Sequence, residues 1–88
     1  MDFKRYIPEN WILRDAREKL GLTQQQVSDK ARIQLRQYQR FESGERELSS
    51  SSFNIAHKVL NALELDLTSF ANGDYSFTMS SELDGTNP

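Results

Sequence analysis

The chain has 88 residues, of which 36% are hydrophobic and 27% are charged, and its formal net charge is −2; this length suffices for one small domain with a thin core. Without cysteine and with a single histidine, the sequence excludes disulfides, thiolate metal sites and histidine clusters, so we expect no metal and no cofactor. No apolar run reaches membrane-spanning length and the N-terminus lacks the apolar core of a signal peptide, which favours a cytoplasmic protein without membrane contact.

The charge is unevenly distributed along the chain. Residues 1–48 carry ten lysines and arginines against eight acids, a net charge of +2, whereas residues 49–88 carry one lysine and five acids, a net charge of −4. Because a binding surface responds to the local charge, the acidic total does not exclude an anionic partner for the first half of the chain.

The first half of the chain predicts two helices. Pro8 suits the first turn of a helix that Gly21 ends. Thr23 is a good N-cap for a second, short helix over residues 24–30, because Gln26 stands three residues later and completes a capping box. Apolar residues recur at helical spacing and are predicted to face the core: Trp11, Ile12, Leu13, Ala16 and Leu20 in the first helix, and Val27 and Ala31 in the second.

A tight turn at residues 31–33 then leads into a predicted third helix over residues 34–43, which Gly44 ends. A period of 3.6 residues divides this helix into two faces. The two arginines of the outer face stand four residues apart, where like charges repel each other. The inner face carries Gln34, Gln37, Tyr38 and Phe41, and the outer face carries Leu35, Arg36, Gln39, Arg40 and Ser43.

The second half of the chain predicts a polar loop, two more helices and a tail. Ser51 or Ser52 caps the fourth helix, and Asp66 caps a short fifth helix over residues 67–71. Residues 75–79, YSFTM, alternate like a short strand, and residues 80–88 have the composition of a disordered segment. The apolar stripe of the fourth helix is Phe53, Ala56, Val59, Leu60 and Leu63, and the aromatic residues predicted to pack in or against the core are Phe3, Tyr6, Trp11, Phe53 and Phe70.

Three segments of the chain carry a resemblance to a known family. LRDAREKLGLTQQQVSDKA at 13–31, ARIQLRQYQRFESGER at 31–46 and NALELDLTSFANG at 61–73 together resemble the phage-repressor and Cro-like (XRE-type) helix-turn-helix family. The resemblance implies an all-α, five-helix domain at residues 1–73. It leaves a C-terminal tail at residues 74–88 that is partly disordered, can form a strand and is a candidate for dimer or partner contact.

Three residues depart from the pattern of that family. Arg32 stands where the family usually has glycine, so we expect a non-glycine residue in an unfavourable backbone region. Gln34 stands where the third helix usually begins with serine or threonine, which are better N-caps. Tyr38 replaces the usual aliphatic residue and brings a hydroxyl group close to the core.

The resemblance implies a sequence-specific regulator of transcription, a repressor of bacterial or phage origin. It would bind a palindromic double-stranded DNA operator as a homodimer and contact the major groove with the third helix. An arginine can donate two hydrogen bonds to guanine, and a leucine can contact a thymine methyl group. Base readout is accordingly assigned to Leu35, Arg36, Gln39 and Arg40, contacts with the DNA backbone to Gln24, Arg32, Ser43 and Arg46, and a structural ion pair to Arg17 and Glu42.

Other interpretations of the same residues stay open at this point. Arg36 and Arg40 could be solvated surface arginines, Gln39 could contact nothing, and Gln24 could reflect helix propensity alone. The same fold could also be a protein-binding module, such as an antitoxin or an inhibitor, that uses the acidic C-terminal half. An enzyme is not expected, because one histidine, no cysteine and scattered acids provide no nucleophile–base set and no metal cluster.

Overall fold

Residues 8–72, the part of the chain that the computed structural model describes, form five α-helices and one short 3₁₀ helix. In chain order these are α1 (Glu9–Lys19), α2 (Gln24–Ala31), α3 (Leu35–Ser43), the 3₁₀ helix (Leu48–Ser50), α4 (Phe53–Ala62) and α5 (Leu67–Asn72). The described residues contain no β-strand, and the predicted all-helical fold class is confirmed. None of these helices combines the length and the apolar composition that crossing a membrane requires.

Several predictions concern residues outside the described range. They are the strand at residues 75–79, the tail at residues 74–88, and the core positions of Phe3 and Tyr6. The division of the chain at residue 73 and the use of the tail for dimer or partner contact therefore stay predictions. The same holds for a protein-binding function built on the acidic C-terminal half.

The loop between α1 and α2 has the predicted start and stop signals. Gly21 follows the end of α1 in the left-handed region, at φ 70°, where glycine has no steric penalty. At the start of α2, the Gln26 amide donates to Thr23 Oγ1 over 3.1 Å, and the Thr23 amide donates to Gln26 Oε1 over 2.8 Å. This reciprocal pair is the predicted capping box, and it satisfies two amide groups that the helix itself leaves without partners.

Side-chain caps also begin α4 and α5. Ser52, rather than Ser51, caps α4, because its hydroxyl oxygen accepts from the Ile55 amide over 3.2 Å. Asp66 Oδ2 accepts from the Ser69 amide over 2.9 Å and caps α5 as predicted. The start of each of these two helices is therefore determined by a cap side chain and the backbone amide three residues later.

The turn between α2 and α3 is tight and strained. Arg32 ends α2 in the left-handed region, at φ 59° and ψ 44°, as its place in a usual glycine position predicts. The Ile33 amide donates to the Ser28 carbonyl over 3.0 Å, and Gln34 precedes α3 without a side-chain cap bond. A side chain in this region costs about 1 kcal/mol, and the missing cap costs about 1 kcal/mol more. The orientation of α3 must therefore come from its packing and its polar contacts.

The core lies among the first four α-helices and includes one residue of the 3₁₀ helix. α2 packs against both α3 and α4, and α1 packs against α3. Leu48 is fully buried, although the sequence around it predicts only a polar loop. A single apolar residue among serines and charges has no periodicity that could reveal it. The largest fully buried side chains besides Leu48 are Leu13, Val27, Tyr38, Phe41, Val59, Leu60 and Leu63.

The core predictions for Trp11 and Phe53 are wrong, since 60% of Trp11 and 71% of Phe53 is exposed. Trp11 precedes Ile12 and Leu13, and three consecutive residues span more of the helix circumference than its core-facing stripe. Only the last two are therefore buried. Phe53 is the first residue of α4 and lies at the edge of the core, where its ring stacks on His57 with the ring centroids 6.1 Å apart.

Four other positions test the assignment of residues to faces. Gln34 was predicted to face inward but is exposed, because it precedes the first turn of α3 as the N-cap residue. Gln37 is half-buried on the inner face, and Leu35 is half-buried rather than fully exposed on the outer face. Phe70 of α5 is half-buried and packs against the core as predicted.

Replacing Arg32 by glycine is expected to stabilise the domain. Glycine adopts φ 59° without the penalty of a Cβ atom, so the free energy of unfolding should rise by about 0.5–1 kcal/mol. Urea denaturation followed by circular dichroism measures the change. Lys30→Gly, which places glycine within α2, is the matched control, and its free energy of unfolding should fall by about 1 kcal/mol. A destabilised Arg32→Gly protein would contradict the strain assigned to this turn.

Candidate nucleic-acid interface

An ion pair between Arg17 of α1 and Glu42 of α3 joins two helices of the core. Arg17 Nε donates to Glu42 Oε2 over 2.7 Å, and Arg17 Nη2 donates to Oε1 over 3.0 Å. Arg17 Nη1 also donates to the Leu22 carbonyl over 2.9 Å. Only 3% of the Glu42 side chain is exposed. This two-pronged contact therefore holds α3 against α1 and against the loop before α2.

Two further donors reach the Glu42 carboxylate. The Tyr38 hydroxyl donates to Oε2 over 2.5 Å, and Gln24 Nε2 donates to Oε1 over 2.8 Å. The hydroxyl that distinguishes Tyr38 from an aliphatic residue is thus satisfied by a partner one helical turn away. Because Gln24 is the first residue of α2, one carboxylate collects side chains from α1, α2 and α3.

The surroundings of Glu42 keep this carboxylate ionised. Burial alone would raise the pKa of Glu42, but the hydrogen bonds from Arg17, Tyr38 and Gln24 outweigh burial and hold the pKa below its ordinary value of 4.5. The hydrogen bond with Glu42 raises the pKa of Arg17. Burial, together with the same carboxylate, raises the pKa of the Tyr38 hydroxyl. One acidic charge of α3 is therefore neutralised inside the domain and does not face a ligand.

The outer face of α3 borders an open surface depression of about 620 Å³. Arg36 has no ion-pair partner among residues 8–72. Arg40 Nε lies 3.7 Å from Glu45 Oε2, in an exposed pair that contributes little to stability. All four residues assigned to base readout line this depression, together with two neighbours at the end of α3: Leu35, Arg36, Gln39, Arg40, Ser43 and Glu45.

The four residues assigned to contacts with the DNA backbone lie at or just beyond helix ends. Gln24 begins α2, and the exposed Arg32 ends it. Ser43 is the last residue of α3, and the exposed Arg46 follows shortly after it. Ser43 Oγ donates to the carbonyl of Arg40 over 3.1 Å, so its hydroxyl proton is engaged within its own helical turn. Within the described residues, no group of three potential ligands is placed to hold a metal ion.

Gln24 is engaged at both ends of its side-chain amide. Nε2 donates to Glu42, and Oε1 accepts from Gln39 Nε2 over 3.2 Å. The sequence does not reveal this contact, because Gln24 and Gln39 lie on different helices and meet only after folding. The sequence could, however, have indicated the hydrogen bond between Tyr38 and Glu42, because side chains four residues apart on a helix are neighbours.

The arrangement of α2, a tight turn and α3 with an open polar face is that of a helix-turn-helix unit. A family model described as helix-turn-helix matches residues 13–70 of the chain. The chain belongs to the XRE-type, Cro/C1-like helix-turn-helix family. Members of this family are DNA-binding regulators of transcription and generally not enzymes. Comparisons with curated proteins and with solved structures gave no match.

In this helix-turn-helix domain, Arg17→Ala should be strongly destabilising. The substitution leaves the buried Glu42 carboxylate without its counter-ion, which costs about 3–5 kcal/mol. Arg14→Ala is the matched control on the same helix. Arg14 forms an exposed pair with Glu18 at 3.9 Å, and its loss should change the free energy of unfolding by at most about 0.5 kcal/mol.

Thermal and urea denaturation compare the two variants with the wild-type protein. Arg17→Lys keeps the positive charge but not the two-pronged geometry, so its stability should lie between that of the wild type and that of Arg17→Ala. Equal, small losses for Arg17→Ala and Arg14→Ala would contradict the role given to the buried pair.

Proposed function

We propose that the chain is a sequence-specific transcriptional repressor that inserts α3 into the major groove of double-stranded DNA. The observation that carries this proposal is the division of α3 into two faces. Tyr38, Phe41 and Glu42 are buried and hold one face to the core, whereas the opposite face presents two exposed arginines beside an open depression. A helix held in this way can present base-reading side chains without reorganising its own packing.

The outer face has the chemistry that base readout needs. Arg36 and Arg40 can each donate two hydrogen bonds to O6 and N7 of a guanine. Four residues of helix correspond to a rise of about 6 Å, so the two arginines address base pairs about two steps apart. Leu35 is half-buried on the same face and can contact a thymine methyl group.

The residues at the helix ends are suited to contact the phosphates that flank this groove. Arg32 lies before the start of α3 and Arg46 lies beyond its end, and both are exposed. Gln24 stands at the N-terminus of α2, where helix dipoles favour an anion. Ser43 can donate to a phosphate only when its hydroxyl proton leaves the Arg40 carbonyl. Such contacts set the position of the protein on the duplex but carry no sequence information by themselves.

Glu45 acts against DNA binding in this arrangement. It lines the same depression as the base-reading residues and holds Arg40 in an exposed pair. Binding must exchange this pair for a contact between Arg40 and a base. Because exposed pairs of this kind are weak, the exchange costs little free energy where a base accepts from Arg40. At DNA positions that offer Arg40 no acceptor, the Glu45 carboxylate disfavours binding.

A homodimer on a palindromic operator completes the proposal. Two recognition helices separated by about 34 Å contact successive major grooves on one side of the duplex. α5 and the C-terminal tail are the candidates for the dimer contact. In support, α5 keeps Leu67 and Phe70 only half-buried within the single chain.

Arg36→Ala should weaken binding to the operator by about 1–3 kcal/mol and relax the preference for a base at one position. Fluorescence anisotropy with a labelled operator measures affinity, and single-base variants of that duplex measure preference. Arg14→Ala, an exposed arginine on α1, is the control for the loss of one positive charge and should change affinity much less. An Arg36→Ala protein with wild-type operator affinity would refute the assignment of α3.

A further inference from the structure

Glu45 places an acidic side chain on a surface that is otherwise suited to DNA. It follows Gly44, which ends α3, and it lines the same depression as Arg40. Arg40 Nε and Glu45 Oε2 are 3.7 Å apart, which is longer than a hydrogen bond. Among residues 8–72, no hydrogen bond engages the Arg40 guanidinium or the Glu45 carboxylate. The donors of one group and the acceptors of the other are therefore both available to a ligand.

The backbone around Glu45 is joined to the last turn of α3. The Glu45 amide donates to Ser43 Oγ over 3.2 Å, and Ser43 Oγ donates to the Arg40 carbonyl over 3.1 Å. The Arg46 amide donates to the same carbonyl over 3.1 Å. These hydrogen bonds lie on both sides of Glu45, so the carboxylate is held beside Arg40 and does not extend from an unattached loop.

In the proposed complex with DNA, the carboxylate needs a new partner. Arg40 leaves Glu45 when it donates to a base, and the released carboxylate then stands in a groove bordered by phosphates. A negative charge without a donor is disfavoured there. The major groove presents two kinds of donor, the N4 amino group of cytosine and the N6 amino group of adenine. Glu45 therefore favours DNA that places one of these groups beside the base that Arg40 contacts.

The base that Arg40 contacts determines which donor is close. Guanine presents two adjacent acceptors, N7 and O6, which suit the paired donors of an arginine. In a G·C pair, the cytosine N4 amino group is bonded to guanine O6, and its second proton points into the major groove. In an A·T pair the N6 donor lies between the N7 and O4 acceptors, so two adjacent acceptors are missing. A single G·C pair can thus satisfy both Arg40 and Glu45.

We propose that Glu45 is a specificity-determining residue that accepts a hydrogen bond from the cytosine paired with the guanine that Arg40 contacts. This inference rests on the proposed function, since it concerns the base pair that lies at the end of α3. It gives Glu45 a role beyond the repulsion of unsuitable DNA, because the carboxylate that disfavours other base pairs is satisfied at this one.

The experiment combines a substitution in the protein with the removal of one group from the DNA. An operator is first obtained by selection from random DNA, and the loss of base preference in Arg40→Ala identifies the pair that Arg40 contacts. At that pair, cytosine is replaced by an analogue that lacks the amino group. The wild-type protein should bind the modified duplex about tenfold more weakly, the effect of one hydrogen bond to a charged group.

Two variants show whether Glu45 causes this loss. Glu45→Ala should bind the modified and unmodified duplexes with nearly equal affinity, because it has no carboxylate that needs the amino group. Glu47→Ala is the matched control, since it removes the same charge two residues later from an exposed side chain that does not line the depression. It should keep the tenfold difference. Fluorescence anisotropy measures each affinity, after circular dichroism has confirmed that the variants are folded.

A second analogue, a guanine with carbon in place of N7, tests the contact of Arg40 at the same pair. It should weaken binding by the wild type and by Glu45→Ala alike. If both proteins lose the same affinity when the cytosine amino group is removed, or if Arg40 contacts no G·C pair, the inference is wrong while the proposed function stands. If the wild-type protein selects no DNA sequence, the proposed function fails, and the inference fails with it.

Discussion

The position of α3 depends on one buried carboxylate. Glu42 accepts four hydrogen bonds. Two from Arg17 and one from Gln24 tie α3 to both preceding helices, and the fourth comes from Tyr38 of α3 itself. Removing one of these donors is costly because water cannot reach the buried carboxylate to replace the lost hydrogen bond. The same contacts give the network a direction, since every donor must point at Glu42. Orientation of the helix and orientation of its polar side chains thus have a common origin.

This network matters because the ordinary devices at the start of α3 are weak. Arg32 occupies a left-handed conformation that glycine usually supplies, and Gln34 makes no cap bond. A small domain with one thin core buries little apolar surface, so apolar burial alone gives little stability to offset such strain. The buried polar contacts of Glu42, together with Tyr38 and Phe41, replace the missing local signals. The outer face of α3 therefore does not have to pack against the core, and it can consist of polar and charged side chains.

The features predicted from the sequence are those that depend on near neighbours. The capping box at Thr23, the strained Arg32 and the helix ends at Gly21 and Gly44 each involve residues within one turn, and the structure confirms them. The core predictions for Trp11 and Phe53 are wrong because burial depends on which part of a helix meets the core. The burial of Leu48 is not predicted because no periodic apolar pattern surrounds it. The contact between Gln24 and Gln39 could not be predicted from the sequence either, because it forms only after α2 and α3 have been positioned relative to each other and to α1.

Selection of bound duplexes from a random pool, followed by affinity measurements at two salt concentrations, tests the central claim that α3 binds DNA in a sequence-specific manner. We predict a single enriched palindromic motif with half-sites about one helical turn apart. We also predict that affinity falls about 100-fold or more between roughly 50 and 200 mM salt, because several phosphate contacts release counter-ions. A pool that shows no enriched motif at either salt concentration would contradict the account.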